Sequence, residues 1–166
     1  MYTGMKPTIF YSAWTSYLAS RLPCPLPSYT FTREHVLPKS KFPKIVVEDP
    51  RNIIPMPGAL NHARGNGPYT AEFADGSLIY GCKSCPVSGW CEGSGALSPS
   101  GFTPPNVLKG PIARSVLYSI GTYPEWAQKI DKEVLRYDTA IVWDSRFPMS
   151  TAERLYIESL DTEIEL

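Results

Sequence analysis

Seventeen prolines and twelve glycines in a chain of 166 residues set the first limit on how it can fold. Proline fixes φ and removes a backbone donor, so it ends helices and stays out of the middle of sheets. Short helices, short strands and irregular connections are therefore expected. Apolar residues make up 43% of the sequence, which is ordinary for a globular chain and makes disorder a poor default. At this length a single core should bury on the order of 70% of the unfolded-state surface. Residues 1–166 are accordingly read as one domain.

Apolar spacing supplies the elements. Phe10, Trp14, Tyr17, Leu18 and Arg21 recur at helical intervals and predict an amphipathic helix over 8–21, ended by Pro23, Pro25 and Pro27. Residues 29–36 are rich in Thr, Tyr, Phe and Val and predict a strand. A basic loop over 39–44 follows, then a minor strand or packed linker at Ile45 to Val47 and a second strand over 52–56, its Pro55 pointing to an edge. Pro57 to Ala63 predicts a brief helix that Gly65 stops. The Asp75-Gly76 pair, between 69–73 and 77–80, is the strongest hairpin signal in the chain. A cysteine-rich loop over 81–93 and a Ser/Pro/Gly-rich connector to Pro105 come next. The C-terminal part, about 107–160, is helical: one helix from Pro111, another from Pro124, a short piece around Ala140 to Trp143, and a last helix with Ser150 as N-cap and Glu153 completing a capping box.

Charge is balanced overall, with 16 basic and 16 acidic residues, so a general nucleic-acid-coating role is unattractive. Its distribution is uneven. Arg21, Arg33, Lys39, Lys41, Lys44, Arg51 and Arg64 face only Glu34, Glu48 and Asp49 over residues 21–64, while the last fourteen residues are acidic. This pattern fits a local phosphate site. No apolar run approaches the ~20 residues of a membrane span. The N-terminal stretch also lacks the continuous apolar segment of a secretory signal, so a soluble, intracellular chain is expected. Cys24, Cys82, Cys85 and Cys91 admit three readings: a structural zinc site built on the CxxC pair, disulfides, or unligated thiols.

The chemistry-bearing residues gather between Arg33 and Asn66. Glu34 and His35 are adjacent on a predicted strand, so their side chains leave on opposite sides. That disfavours shared ligation of one ion and suits separate tasks: a hard cation for Glu34, a water or proton for His35. Asn61, on the helix after the second strand, can add an amide oxygen to the same cation. Mg²⁺ suits so sparse a set, because it keeps several waters and takes few protein oxygens. By spacing alone, a structural histidine remains the commoner outcome.

The run Arg33-Glu34-His35-Val36-Leu37-Pro38-Lys39-Ser40, followed by Asp49, Asn52, Pro55 and then Asn61-His62-Ala63-Arg64-Gly65-Asn66, resembles the bacterial endonuclease I family, a branch of the His-Me finger or ββα-metal nucleases. PPNVLKGPIARSVLYSIGTYP over 104–124, Trp143, and Pro148 to Glu153 extend the resemblance. It implies an α+β fold with a ββα-metal core at about 29–66, surrounded by short helices and a β-hairpin. It further implies an endonuclease using Mg²⁺ or another divalent cation to hydrolyse DNA or RNA with little sequence preference, leaving 5′-phosphate and 3′-hydroxyl ends. By position, His35 resembles the general base, Glu34 and Asn61 the metal ligands, and Arg64 a residue supporting the site or a phosphate. Lys39, Lys41 and Lys44 stand where the family often carries a phosphate-binding arginine on a longer loop. Two other expectations compete: a nuclease fold turned nucleic-acid-binding module, and a zinc-stabilised interaction protein.

Overall fold

The computed structural model describes residues 5–22, 31–71, 78–80, 95–98 and 100–164. In chain order the elements are α1 (Met5–Arg21), β1 (Phe31–His35), α2 (Lys44–Val47), β2 (Ile53–Pro57), α3 (Gly58–Arg64), β3 (Leu78–Tyr80), β4 (Gly95–Ser98), β5 (Gly101–Thr103), α4 (Asn106–Thr122), α5 (Ala127–Glu133), α6 (Tyr137–Arg146) and α7 (Thr151–Ile164). Mixed helices and small antiparallel sheets make this an α+β fold. All four cysteines, the Asp75-Gly76 turn and the three prolines after α1 lie outside the described residues.

β1 and β2 form a two-stranded antiparallel sheet in which Arg33 faces Pro55, Glu34 faces Ile54 and His35 faces Ile53. Both strands are edges, which is where a Pro-bearing strand is tolerated. α3 follows β2 directly and packs back across both strands. Pro57 caps it in an extended conformation, and it stops at Gly65, whose φ of +58° a side-chain-bearing residue adopts only rarely. In the connection from β1 to β2, Ile45 to Val47 belong to a helical turn rather than a strand. The Val46 and Val47 amides bond the Pro43 carbonyl, and both side chains are buried. An apolar triplet is too short for its periodicity to separate the two cases.

The second sheet has the order β3, β4, β5, all antiparallel. The expected partner of residues 77–80 was the segment at 69–73. Residues 72–77 of that hairpin lie outside the described residues; Leu78–Tyr80 pairs with Gly95–Ser98, and Tyr69 makes a bridge to Phe102. The Gly/Ser-rich connector thus contains two strands that its composition concealed.

α4 is the central helix. It packs against α6, α5, β2 and α1, and buries Leu108, Ile112, Ala113 and Val116. Pro111 does not open it, as expected, but sits inside. The helix instead begins after Pro105. Gly110 is fixed by packing: a Cβ there would lie 2.3 Å from the Phe147 carbonyl oxygen and 2.6 Å from an Arg114 nitrogen. α1 lies along α7, where the Tyr11 and Trp14 rings meet that of Tyr156 at 5.3 and 5.4 Å. The capping box of α7 is half made. The Glu153 amide bonds Ser150 Oγ at 3.1 Å, but the Glu153 carboxylate turns to Arg114, at 2.7 Å from Nε and 2.6 Å from Nη2. Leu155 is exposed, and Tyr156 is the buried side chain of this turn. No helix among the described residues is long and apolar enough to cross a membrane.

Glycine to alanine in a helix normally adds about 1 kcal/mol of stability. At Gly110 the sign should reverse, because the new methyl meets a backbone carbonyl and the Arg114 fork. Gly110→Ala is expected to lower the unfolding free energy by about 1–3 kcal/mol in urea denaturation. An increase would contradict the packing described.

Candidate active site

Consecutive side chains of β1 have different surroundings. Arg33 is exposed, its guanidinium 5.2 Å from the centre of the Tyr11 ring on α1. Glu34 is 3% exposed and lies against α3. His35 is half-buried, and by strand alternation it shares the Arg33 face.

α3 brings two side chains, one turn apart, to the Glu34 face. Asn61 Nδ2 donates to Thr32 Oγ1 at 2.8 Å and, more weakly, to the Arg33 carbonyl at 3.4 Å. The Asn61 amide oxygen is thereby turned away from these contacts. Arg64 Nε donates to the Gly67 carbonyl at 2.6 Å, Nη2 to the Val36 carbonyl at 2.8 Å, and Nη1 to the His35 carbonyl at 3.1 Å and Glu34 Oε1 at 3.4 Å. The guanidinium also lies 4.2 Å from the Tyr69 ring centre.

A phosphate contact by Arg64 is not what these surroundings offer. Its side chain has no solvent exposure, and its donors are directed at protein oxygens. Arg64 was expected to support the site or to bind a phosphate; the guanidinium runs back beneath the strand and can do only the first. His62, its neighbour on α3, is exposed.

Glu34 uses only one oxygen on Arg64. Oε2 is buried and makes no hydrogen bond of ordinary geometry, although the buried Tyr69 hydroxyl lies close enough beside it to act on its charge. Burial pushes the Glu34 carboxyl up to about 7, against the Arg64 guanidinium and the Tyr69 hydroxyl, which pull it down. His35 is pushed the other way: burial lowers its pKa, and the Lys39 ammonium adds to the effect.

The segment after His35 is closed by Asn52. Its carbonyl accepts from the Val36 amide at 3.0 Å, its Oδ1 from the Leu37 amide at 2.8 Å, and its Nδ2 donates to the Leu37 and Val47 carbonyls, both at 3.1 Å. Asp49 caps the turn over 50–52 by accepting from the Arg51 amide, and its other oxygen accepts from Tyr118 and Tyr123 of the α4 end at 2.9 and 2.7 Å. Neither residue stood out as a site element beyond the family pattern, although an Asp-Pro pair is a turn signal that could have flagged Asp49. Tyr69 was read as a strand residue, and nothing in its local sequence pointed to Glu34.

Among the loop lysines, Lys39 is exposed, with Glu48 at 3.9 Å. Lys41 turns toward Glu133 of α5 at 3.8 Å, and Lys44 is exposed at the start of α2. No group of three or more His, Cys, Asp or Glu among the described residues is arranged to hold a metal ion. The hairpin and α3 offer a smaller set: the unpartnered Glu34 oxygen and the Asn61 amide oxygen.

The family model of Endonuclease I matches residues 24–155, and the chain belongs to the endonuclease I family. It is accordingly a nuclease, with nucleic acid as its substrate. No curated protein and no solved structure matches it.

Removing one partner of a buried ion pair leaves the other charge uncompensated, at a cost of about 3–5 kcal/mol. Arg64→Met should lower stability by that amount in denaturant unfolding. Adding Glu34→Gln should recover part of the loss, and equal costs in the two backgrounds would show that the groups do not act on one another.

Proposed function

We propose that this nuclease is a divalent-metal-dependent endonuclease that hydrolyses phosphodiester bonds of DNA with little sequence preference, leaving 5′-phosphate and 3′-hydroxyl ends, and that β1, β2 and α3 are its ββα-metal core. The observation that carries this reading is the unpartnered Oε2 of Glu34 on the side of β1 where Asn61 also docks. A buried carboxylate oxygen without a donor is costly unless a cation compensates it. The donor set fits a hard cation, since carboxylate and amide oxygens suit Mg²⁺ and a sparse set leaves room for water and phosphate oxygen.

Glu34 and Asn61 would hold the ion. When bound, it would supply positive charge to the phosphate oxygens and to the departing 3′ oxygen. His35, on the other side of the strand, takes the proton of the attacking water at an unprotonated ring nitrogen as the water oxygen bonds to phosphorus. Arg64 acts from beneath: its guanidinium fixes one oxygen of Glu34 and the carbonyls of His35 and Val36, so both working side chains leave a rigid stretch of backbone. With Arg64 enclosed, the exposed Lys39 and Lys44 are the loop cations left to meet phosphate. Backbone contacts of this kind carry no base information, which supports weak sequence preference and salt-sensitive binding.

Supercoiled plasmid incubated with the protein should be nicked and linearised with Mg²⁺ and left intact with EDTA. His35→Ala should cut about 10² to 10⁴ fold more slowly, whereas near-wild-type cutting would remove His35 from this role. Asn61→Ala should raise the Mg²⁺ concentration needed for half-maximal cleavage. Plasmid binding without cutting by the unaltered protein would favour a binding module over an enzyme.

A further inference from the structure

A groove of about 350 Å³ lies where the second half of α1 meets the start of α4 and the turn between α6 and α7. Its floor includes Trp14, 3% exposed, whose indole Nε1 is buried without a hydrogen-bond partner. Arg114 and Glu153 also line it, but they neutralise one another through a two-pronged pair.

The rim is basic. Arg21 and Arg146 are both exposed, with guanidinium groups 5.3 Å from the Tyr17 ring centre and 5.6 Å from that of Phe147. Lys109, on the first turns of α4, lies 5.8 Å from the ring centres of Trp143 and Phe147 and donates to Asn106 Oδ1. Arg146 is near enough for its charge to lower the Lys109 pKa, after burial. Elsewhere on the surface Lys39, Lys41, Arg136 and Arg154 each have a carboxylate within 4 Å. Among the described residues, Arg21, Lys109 and Arg146 have none, and the nearby Asp144 is drawn to Arg114 at 3.3 Å. Two such cations from two elements, Arg21 and Arg146, thus line one concavity in a chain whose net charge is zero, and Lys109 approaches the Phe147 ring at its edge.

We propose that this groove is a second phosphodiester-binding site, which holds the backbone of the polynucleotide away from the scissile bond through Arg21 and Arg146. The identity of the ligand rests on the nuclease reading; the charge convergence does not. The path between the two sites runs along α1. Arg33, two residues from His35, stacks on Tyr11, and Tyr11 meets Trp14 at the groove floor with ring centres 6.3 Å apart. From Tyr11 to Arg21 the helix rises about 15 Å, on the order of four phosphates at the spacing of one strand. Guanidinium groups already resting near aromatic rings are good platforms for phosphate, because less side-chain freedom remains to be lost on binding.

The test is binding of a fluorescent single-stranded oligonucleotide in EDTA, followed by anisotropy across a salt series, for the unaltered protein and for Arg21→Gln/Arg146→Gln. The double variant should bind more weakly, and its slope of log affinity against log salt should shrink by about 1.4, the loss of two single-strand phosphate contacts. Arg21→Lys/Arg146→Lys, which keeps the charge, should retain most of that slope. Circular dichroism checks that both variants are folded. An unchanged affinity and slope in the glutamine variant overturn the proposal, even if the unaltered protein cuts plasmid. Conversely, binding that depends on Arg21 and Arg146 in a protein that never cuts would support the groove and sink the metal-dependent nuclease reading instead.

Discussion

The arrangement at the hairpin depends on where the donors of Arg64 go. A buried guanidinium is tolerable only when its hydrogen bonds are made, and here four protein oxygens and an aromatic face surround it. Three of those oxygens belong to consecutive residues Glu34, His35 and Val36. One side chain on α3 therefore sets the helix against β1 and fixes the strand's end at the point where Glu34 and His35 diverge. A lysine would bring a single charged point to the same place and could not bridge the carbonyls in this fashion. The distance from Asn61 to the strand follows as a by-product, since both residues ride on the same seven-residue helix.

A second polar device secures the other side of His35. Asn52 behaves like an extra length of strand: it exchanges bonds with Val36 and Leu37 and collects the Val47 carbonyl, so the chain that leaves the imidazole returns under its own restraint. Asp49 carries this restraint to α4 through two tyrosine hydroxyls. The imidazole is thus held by backbone anchored at both ends, and loop motion is kept away from it. Rigid support of this kind is what a working proton acceptor needs, because misplacement by an ångström can cost a large factor in rate.

Much of this architecture is legible in the residues. Thr, Phe and Arg around Glu34-His35 mark β1, Pro55 marks an edge strand, and Gly65 stops α3 as its position suggests. Adjacent placement of Glu34 and His35 already separates their faces. What stays hidden is tertiary. Nothing in the string shows that Arg64 turns inward, because the same arginine at a helix end serves a surface equally well until Tyr69 and the carbonyls of His35 and Val36 enclose it. β4 and β5 escape notice because glycine and serine carry little strand preference, and only pairing defines them. Pro111 misleads because proline usually opens a helix, whereas here α4 is held by packing on α6 strongly enough to carry one inside.

The diverted carboxylate of Glu153 bears on how far the chain can be shortened. A helix whose capping glutamate turned back on itself would be a self-contained appendage, removable with little effect on the rest. α7 instead lends its first-turn charge to Arg114 in the middle of the molecule, beside the Phe147 carbonyl and above Gly110. Trimming from the C-terminal side therefore changes character along the helix. Loss of its outer turns frays an end, loss of Tyr156 opens a seam against α1, and loss of Glu153 leaves the Arg114 guanidinium with Asp144 and the Phe147 carbonyl alone. The family match ends at residue 155, just past that carboxylate. The segment shared with the family thus closes just past the carboxylate that pairs with Arg114 of the central helix.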